Sequence, residues 1–147
     1  MKPVSQRIEP VKKVAQQREQ RAADQLNKTQ TDYQSAQHKL HELVQYRTDY
    51  LAEFQYRAAK GMSGIQLQHY KSFLSQLDKA IAAQQQQILQ LQTQVSQSRK
   101  QWQSQNQRTQ AVNKYQDKLK QKERLQSERK QARVLEDDFN SQTHTTH

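Results

Sequence analysis

The chain has 147 residues, of which 32% are hydrophobic, and 24 lysines and arginines against 14 acids give it a formal net charge of +10. So few apolar residues, against the ~45–50% usual for a globular domain, argue against a thick multilayer core, and two glycines, two prolines and no cysteine argue against all-β folds, disulfide frameworks and thiolate metal sites. No run approaches the ~20 apolar residues of a membrane span, and residues 1–10 lack the apolar core of a signal peptide, so we expect a mostly helical cytoplasmic protein without direct membrane insertion.

The helix breakers divide the chain into two long segments. Pro3 and Pro10 lie near the start, Gly61 and Gly64 lie near the middle, and no glycine or proline occurs within residues 11–60 or 65–147. Because glycine and proline are the strongest interruptions of helices, this pattern predicts helix one over about residues 5–60, a turn at 61–64 and helix two over about 64–139. We expect the tail, residues 140–147, to be disordered.

Each segment carries a narrow stripe of apolar residues with steps of three and four, which is typical of a coiled-coil seam. The predicted stripe of helix one is Val4, Ile8, Val11, Ala15, Arg18, Ala22, Leu26, Thr29, Tyr33, Ala36, Leu40, Leu43, Arg47, Tyr50 and Phe54. That of helix two begins with Leu67, Tyr70, Leu74, Leu77, Ile81, Gln84, Ile88, Leu91 and Val95. It weakens through Ser98, Trp102, Gln105, Thr109 and Val112, then recovers loosely at Tyr115, Leu119, Leu125, Ala132, Leu135 and Phe139.

The connection between the segments has the sequence of a helix end followed by a helix start. Gly61 suits the left-handed residue that follows a helix C-terminus. Ser63 and Gln66 match a capping box, and Met62 and Leu67 have the spacing of a hydrophobic staple. So short a connection makes the helices antiparallel. The predicted fold is therefore all-α, two long helices forming an antiparallel coiled-coil hairpin, as a single elongated domain over residues 1–147.

The sequence offers no constellation of catalytic residues. His38, His41 and Glu42 could share a helix face, but a metal site would need further ligands close by, and no glycine-rich phosphate loop is present. We predict no enzymatic activity, no cofactor and no metal. Basic residues alternate with acids, as on an exposed helix with many salt bridges, and no base-reading module is recognisable, so nucleic-acid binding is an alternative that we do not favour.

Several apolar residues near the predicted turn lie outside the two stripes. They are Tyr46, Tyr56, Ile65, Phe73 and Ala80. Tyrosine and phenylalanine are frequent anchors of protein–protein contacts, and an exposed apolar patch usually marks a partner site. They could also simply broaden or shield the seam.

Around these residues the sequence resembles the FliJ family of flagellar export proteins. The resemblance is carried by Leu40-x-x-Leu43-x-x-Tyr46-x-x-x-Tyr50, the glycine turn, Tyr70-x-x-Phe73-Leu74-x-x-Leu77-x-x-Ala80-Ile81, the lone Trp102 and Glu136-Asp137-Asp138-Phe139. The block from Leu40 to Ile81 is fairly specific, whereas the two arms are generic coiled coil.

The resemblance implies a non-enzymatic component of the flagellar type III protein export apparatus, which serves flagellum biogenesis, motility and chemotaxis. This component would be a stalk similar to the γ subunit of rotary ATPases. It would insert into the export ATPase hexamer and stimulate it, bind the export gate protein FlhA and escort export chaperones. It would lie in the cytoplasm, peripherally associated with the inner face of the membrane at the flagellar base. The gate-binding patch carried over by motif is Leu43, Tyr46, Tyr50, Phe73, Leu77 and Ala80. A generic coiled-coil adaptor or scaffold without an ATPase partner remains the alternative.

Overall fold

The computed structural model describes residues 2–145, which form three α-helices. They are α1 (Val4–Arg7), α2 (Glu9–Lys60) and α3 (Gly64–Thr145). No strand occurs within the described residues, so the predicted all-α fold with two long helices is confirmed.

Pro10, the second residue of α2, follows the interruption at Ile8 between α1 and α2. Pro10 lacks a backbone N–H and cannot donate to the carbonyl four residues earlier. The chain nevertheless stays nearly helical here, since the N–H of Ile8 donates to the carbonyl of Val4 and that of Lys12 donates to the carbonyl of Ile8, both at 3.1 Å. The predicted first helix is thus present with a short interruption near its start.

The turn between α2 and α3 has the predicted local structure. Gly61 has a φ of +104°, in the region that residues with a Cβ rarely adopt, and its N–H donates to the carbonyl of Ala58 at 3.2 Å. The capping box is also confirmed. The N–H of Gln66 donates to the hydroxyl of Ser63 at 3.2 Å, and the N–H of Ser63 donates to Oε1 of Gln66 at 3.3 Å.

Helix α3 is longer than the sequence predicted. It continues through Thr145, whereas we expected helix to about residue 139 and disorder over residues 140–147. Residues 140–145 continue the helix because no glycine or proline interrupts it after Gly64, although asparagine, serine and threonine, which are common there, are weaker helix formers than the residues before them. Residues 146–147 lie outside the described residues.

The chain consists of two compact units. Unit 1 contains Met1–Arg21 and Gln103–His147, and unit 2 contains Ala22–Trp102. That residues 1–147 act as one domain stays a prediction. No helix of the described part combines the length and the apolar character that crossing a membrane requires.

Unit 2 is an antiparallel pair of helical segments. Nε2 of Gln84 donates to the carbonyl of Ala36 at 2.9 Å, and Nε of Arg47 donates to Oδ1 of Asp78 at 2.6 Å. Residue numbers thus rise along α2 while those of their partners fall along α3. Both buried hydrophobic residues of the described chain, Ala36 and Leu77, belong to this unit.

The burial pattern follows an unbroken heptad. From α1 through α2, including Ile8 between them, it selects Ser5, Ile8, Lys12, Ala15, Glu19, Ala22, Leu26, Thr29, Tyr33, Ala36, Leu40, Leu43, Arg47, Tyr50 and Phe54. On α3 it selects Leu67, Tyr70, Leu74, Leu77, Ile81, Gln84, Ile88, Leu91, Val95, Ser98, Trp102, Gln105, Thr109, Val112, Gln116, Leu119 and Glu123. All of these residues are buried or half-buried, and the steps of three and four alternate throughout. We call this set the seam.

The seam differs from the prediction in unit 1. Polar Ser5, Lys12 and Glu19 occupy its positions, and the expected residues Val4, Val11 and Arg18 are exposed. On α3 the predicted seam residues are confirmed through Val112. Beyond it Leu119 is half-buried as expected, but the other expected residues are exposed, namely Tyr115, Leu125, Ala132, Leu135 and Phe139.

Hydrogen bonds across unit 1 explain this register. The hydroxyl of Ser5 donates to Oε2 of Glu123 at 2.6 Å, and Nε2 of Gln116 donates to the Ser5 carbonyl at 3.0 Å and to Oε2 of Glu9 at 2.7 Å. Gln116 is only 2% exposed. A buried polar group is costly unless it is paired, so these partners fix which helix face turns inward.

More of the same pairing occurs farther along unit 1. Nδ2 of Asn106 donates to Oε1 of Glu19 at 2.7 Å, and the hydroxyl of Thr109 is shared between the carbonyl of Gln105 on its own helix at 3.0 Å and that of Ala15 at 3.3 Å. Unit 1 is therefore joined mainly by polar contacts, and unit 2 mainly by apolar ones.

Replacing Leu77 by alanine should destabilise unit 2. Leu77 is 7% exposed, and a buried Leu→Ala change costs about 2–5 kcal/mol because it leaves a cavity; in a two-helix seam we expect about 2 kcal/mol. Thermal unfolding followed by circular dichroism measures the effect. The matched control is Leu89→Ala on the same helix, where the side chain is 56% exposed, and equal losses in both variants would contradict the seam.

Acid should open unit 1 before unit 2. The hydrogen bond from Gln116 lowers the pKa of Glu9 below its usual 4.5, and hydrogen bonds from the hydroxyl and N–H of Ser5 lower the pKa of Glu123. Because the folded-state pKa lies below the unfolded-state value, both carboxylates stabilise the fold at neutral pH. This stabilisation begins to fade below about pH 5 and is lost as the pH falls through the folded-state values.

Spin labels measure this opening, since the chain has no cysteine of its own. The distance distribution between labels at Gln6→Cys and Gln121→Cys should broaden on acidification. Labels at Gln34→Cys and Gln86→Cys in unit 2 should keep theirs. The double variant Glu9→Gln, Glu123→Gln should remove the pH dependence, and a transition that survives this change would show that other groups cause it.

Candidate functional site

The six predicted site residues all lie in unit 2, on facing stretches of α2 and α3. Around them five rings form a continuous group, which we call the aromatic cluster. Its members are Tyr46, Tyr50, Phe54, Tyr70 and Phe73.

Tyr50 lies at the centre of the aromatic cluster. Its ring centroid is 4.7 Å from that of Phe73 and 5.1 Å from that of Tyr70. Tyr46 stacks on Tyr50 at 6.4 Å and meets Phe73 edge-on at 6.1 Å, while Phe54 is 5.4 Å from Tyr70. Such pairs add ~0.5–1.5 kcal/mol each beyond the area they bury, so the cluster also joins the two helices.

The aromatic cluster extends from the seam to the surface. Tyr50, Phe54 and Tyr70 are half-buried seam residues, and Phe73 is half-buried beside them. Tyr46 is 51% exposed, and its ring is held by Tyr50 and Phe73 from below. An exposed aromatic ring in a fixed orientation can contact a partner with little loss of side-chain entropy.

The other three predicted site residues have different environments. Leu43 is a half-buried seam residue, Leu77 is buried in the seam, and Ala80 is exposed. Leu77 therefore offers little surface to a partner. Tyr46 and Ala80 form the accessible part of the predicted patch.

Charged side chains lie at the border of the aromatic cluster. The ion pair between Arg47 and Asp78, with Nε and Oδ1 2.6 Å apart, bridges the two helices beside the rings. Burial, followed by the neighbouring phenols of Tyr70 and Tyr46, raises the pKa of Tyr50 above its usual value. Tyr50 thus stays uncharged at neutral pH and contributes an apolar ring with a hydroxyl.

An apolar hollow of about 170 Å³ adjoins the cluster. It is lined by Tyr50, Leu51, Phe54, Tyr70, Lys71 and Leu74. The motif-based site did not include Phe54, Tyr70 or Leu51. The signal that could have found the two rings is their seam spacing, because an antiparallel pairing that brings Tyr50 next to Phe73 also brings Phe54 next to Tyr70.

Besides Ala80, two further surplus apolar residues lie outside the aromatic cluster, and both are close to the turn. Tyr56 is 63% exposed, and Nζ of Lys60 lies 4.3 Å from its ring centroid, one helical turn away. Ile65 is exposed on the first turn of α3. The sequence pattern grouped them with Tyr46 and Phe73 because spacing alone does not distinguish the faces.

These side chains offer a partner a surface to bind. His38 and Glu42 pair with each other on one exposed helix face, with 2.9 Å between Nε2 and Oε1. Within the described residues no three histidine or acidic side chains are grouped as metal ligands. The aromatic cluster can bind an apolar surface and position it by the hydroxyls and the ion pair at its border.

Comparison with known proteins identifies the family. The model of the family described as "Flagellar FliJ protein" matches residues 5–147, which is nearly the whole chain. No curated protein and no solved structure gives a match.

Proposed function

The chain belongs to the FliJ family and is a component of the flagellar export apparatus, and from this premise we propose that it is the stalk of the export ATPase. In this proposal unit 1 inserts into the ATPase ring and stimulates it, and the aromatic cluster binds the export gate protein FlhA. The protein carries no chemistry of its own. It acts in the cytoplasm at the flagellar base, peripherally associated with the membrane, and escorts export chaperones.

The observation that carries the proposal is the different character of the two units. In unit 2 the exposed ring of Tyr46 packs on the rings of Tyr50 and Phe73. Unit 1 contains fifteen lysines and arginines against eight acids, so most of the net charge of the chain resides there. A basic pair of helices is attracted to an acidic surface such as the pore of a ring, while a rigid aromatic anchor suits a protein–protein contact.

The polar seam of unit 1 also suits a partner that surrounds it. Few apolar side chains hold its helices together. Its polar contacts can be replaced by contacts with a partner at low cost, because each hydrogen bond contributes only about 1 kcal/mol net. Ring subunits could therefore bind either helix without disrupting an apolar core. The apolar contacts between the helices of unit 2 would stay in place while ring subunits bind unit 1.

Tyr46→Ala should weaken binding to the gate protein by at least about tenfold, the effect of losing about 1.4 kcal/mol. The ring is 51% exposed, so helicity should be kept, while loss of its contacts with Tyr50 and Phe73 should lower the unfolding temperature only modestly. The matched control is Tyr56→Ala, an equally drastic change at an exposed tyrosine outside the aromatic cluster. Titration calorimetry with the cytoplasmic part of the gate protein measures both, and equal affinities of the two variants would remove the cluster from the interface.

Charge reversal in unit 1 should impair stimulation of the ATPase. The triple variant Lys114→Glu, Lys118→Glu, Lys122→Glu changes exposed residues of α3, and we expect the stimulation of ATP hydrolysis to fall severalfold, with a smaller difference at high salt. The control Lys28→Glu, Lys71→Glu, Lys79→Glu makes the same change in charge on unit 2 and should retain stimulation. If both triple variants stimulate fully, the alternative of an adaptor without an ATPase partner is favoured.

A further inference from the structure

Unit 1 contains an apolar groove that its own side chains leave open. The groove has a volume of about 570 Å³, and its apolar lining comes from Pro10, Val11 and Val14 of α2 with Ala111 and Val112 of α3. We call it the valine groove. Val11 is 53% exposed, because the seam takes polar Lys12 in its stead. Leaving such surface in water is unfavourable, and a partner that covered it would gain free energy.

The rim of the valine groove is positively charged. Arg18 and Arg108 line it, and none of the residues that line it is acidic. An apolar floor with guanidinium groups at its edge favours an occupant that combines apolar side chains with carboxylates, since arginine binds carboxylates well.

A segment of the same polypeptide has this composition. Beyond Glu123 every residue of α3 whose side chain is described is exposed. This stretch contains the sequence Val134–Phe139, which we call the acidic segment; it has Glu136, Asp137 and Asp138 between its apolar residues. Leu135 is 69% exposed. Phe139 follows it by one helical turn and therefore lies on the same face.

The acidic segment cannot reach the valine groove of its own chain. Val112 and Leu135 belong to the same uninterrupted helix, and 23 residues at 1.5 Å per residue separate them by about 35 Å. Folding back would require a break in α3, and no glycine or proline provides one. An occupant with this sequence must therefore come from a second copy.

We propose that the acidic segment of one chain binds in the valine groove of a second copy, with Leu135 and Phe139 on the apolar floor and the neighbouring carboxylates paired with Arg18 and Arg108. Every chain supplies one groove and one segment, so the contact can form twice about a two-fold axis and close a dimer. In this dimer the two copies of α3 run antiparallel, and residue 111 of one copy lies opposite residue 136 of the other. The two-fold axis then passes near Arg124, which is midway between these residues in the sequence. Exposed Leu125 would lie close to that axis.

Self-association of the full chain tests the apolar half of the contact. Sedimentation velocity over a wide range of protein concentrations should show a monomer–dimer equilibrium. The variant Leu135→Glu, Phe139→Glu should weaken dimerisation at least about tenfold without loss of helicity, because both side chains are exposed and lie outside the seam. The control Ile65→Glu, Leu89→Glu places the same charges at exposed apolar positions of unit 2 and should dimerise normally.

A charge swap tests the polar half and the pairing itself. Chains with Arg18→Glu and Arg108→Glu, and chains with Glu136→Arg and Asp138→Arg, should each be monomeric, because groove and segment then carry like charges. An equimolar mixture should form the heterodimer, since both of its contacts regain opposite charges. A wild-type chain that stays monomeric, a dimer that survives both variants, or a mixture that fails to associate would overturn the proposal.

Discussion

The structure depends on one constraint, which is that within each unit two helical segments must share a narrow seam. Steps of three and four alternate without interruption from Ser5 to Phe54 and from Leu67 to Glu123. A seam of this kind can bury only one side chain per step on each helix, so the interior is small and its composition matters at every position. Among the described residues six of the eight buried ones are polar.

Three of the six buried polar residues of the described chain donate hydrogen bonds across the seam to main-chain carbonyls. Gln84 bonds the carbonyl of Ala36, Gln116 that of Ser5, and Thr109 that of Ala15. In two of these pairs a long glutamine lies opposite a small residue, which leaves room for its amide. Buried polar groups of this sort contribute less to stability than apolar packing, but they fix the register of a coiled coil.

The same constraint determines what remains for partners. In unit 2 the aromatic residues are too many and too large for the seam, so Tyr46 projects from a ring cluster that the seam supports. In unit 1 the polar register turns Val11 and Val14 outward and creates the valine groove. The exposed part of each proposed contact surface, Tyr46 in unit 2 and Val11 with Val14 in unit 1, thus consists of apolar side chains outside the seam.

The sequence by itself determined the fold class, the turn and part of the candidate site. Gly61 and the Ser63–Gln66 capping box are local signals, since backbone conformation and capping depend on residues within one turn. Tyr46, Tyr50 and Phe73 were predicted together because aromatic residues around an antiparallel turn must adjoin. The seam from Ala22 to Phe54 and from Leu67 to Val112 followed from apolar spacing.

Only the tertiary structure decided the register of unit 1 and the depth of each site residue. Spacing favoured Val4, Val11 and Arg18, but hydrogen bonds between the helices favour Ser5 and Glu19, and such bonds involve partners about a hundred residues away that no local pattern specifies. Phe73, which spacing placed outside the stripe, is half-buried against Tyr50 for the same reason. How deeply a side chain is buried depends on which residue of the opposite helix packs beside it. That pairing forms only when the two helices come together.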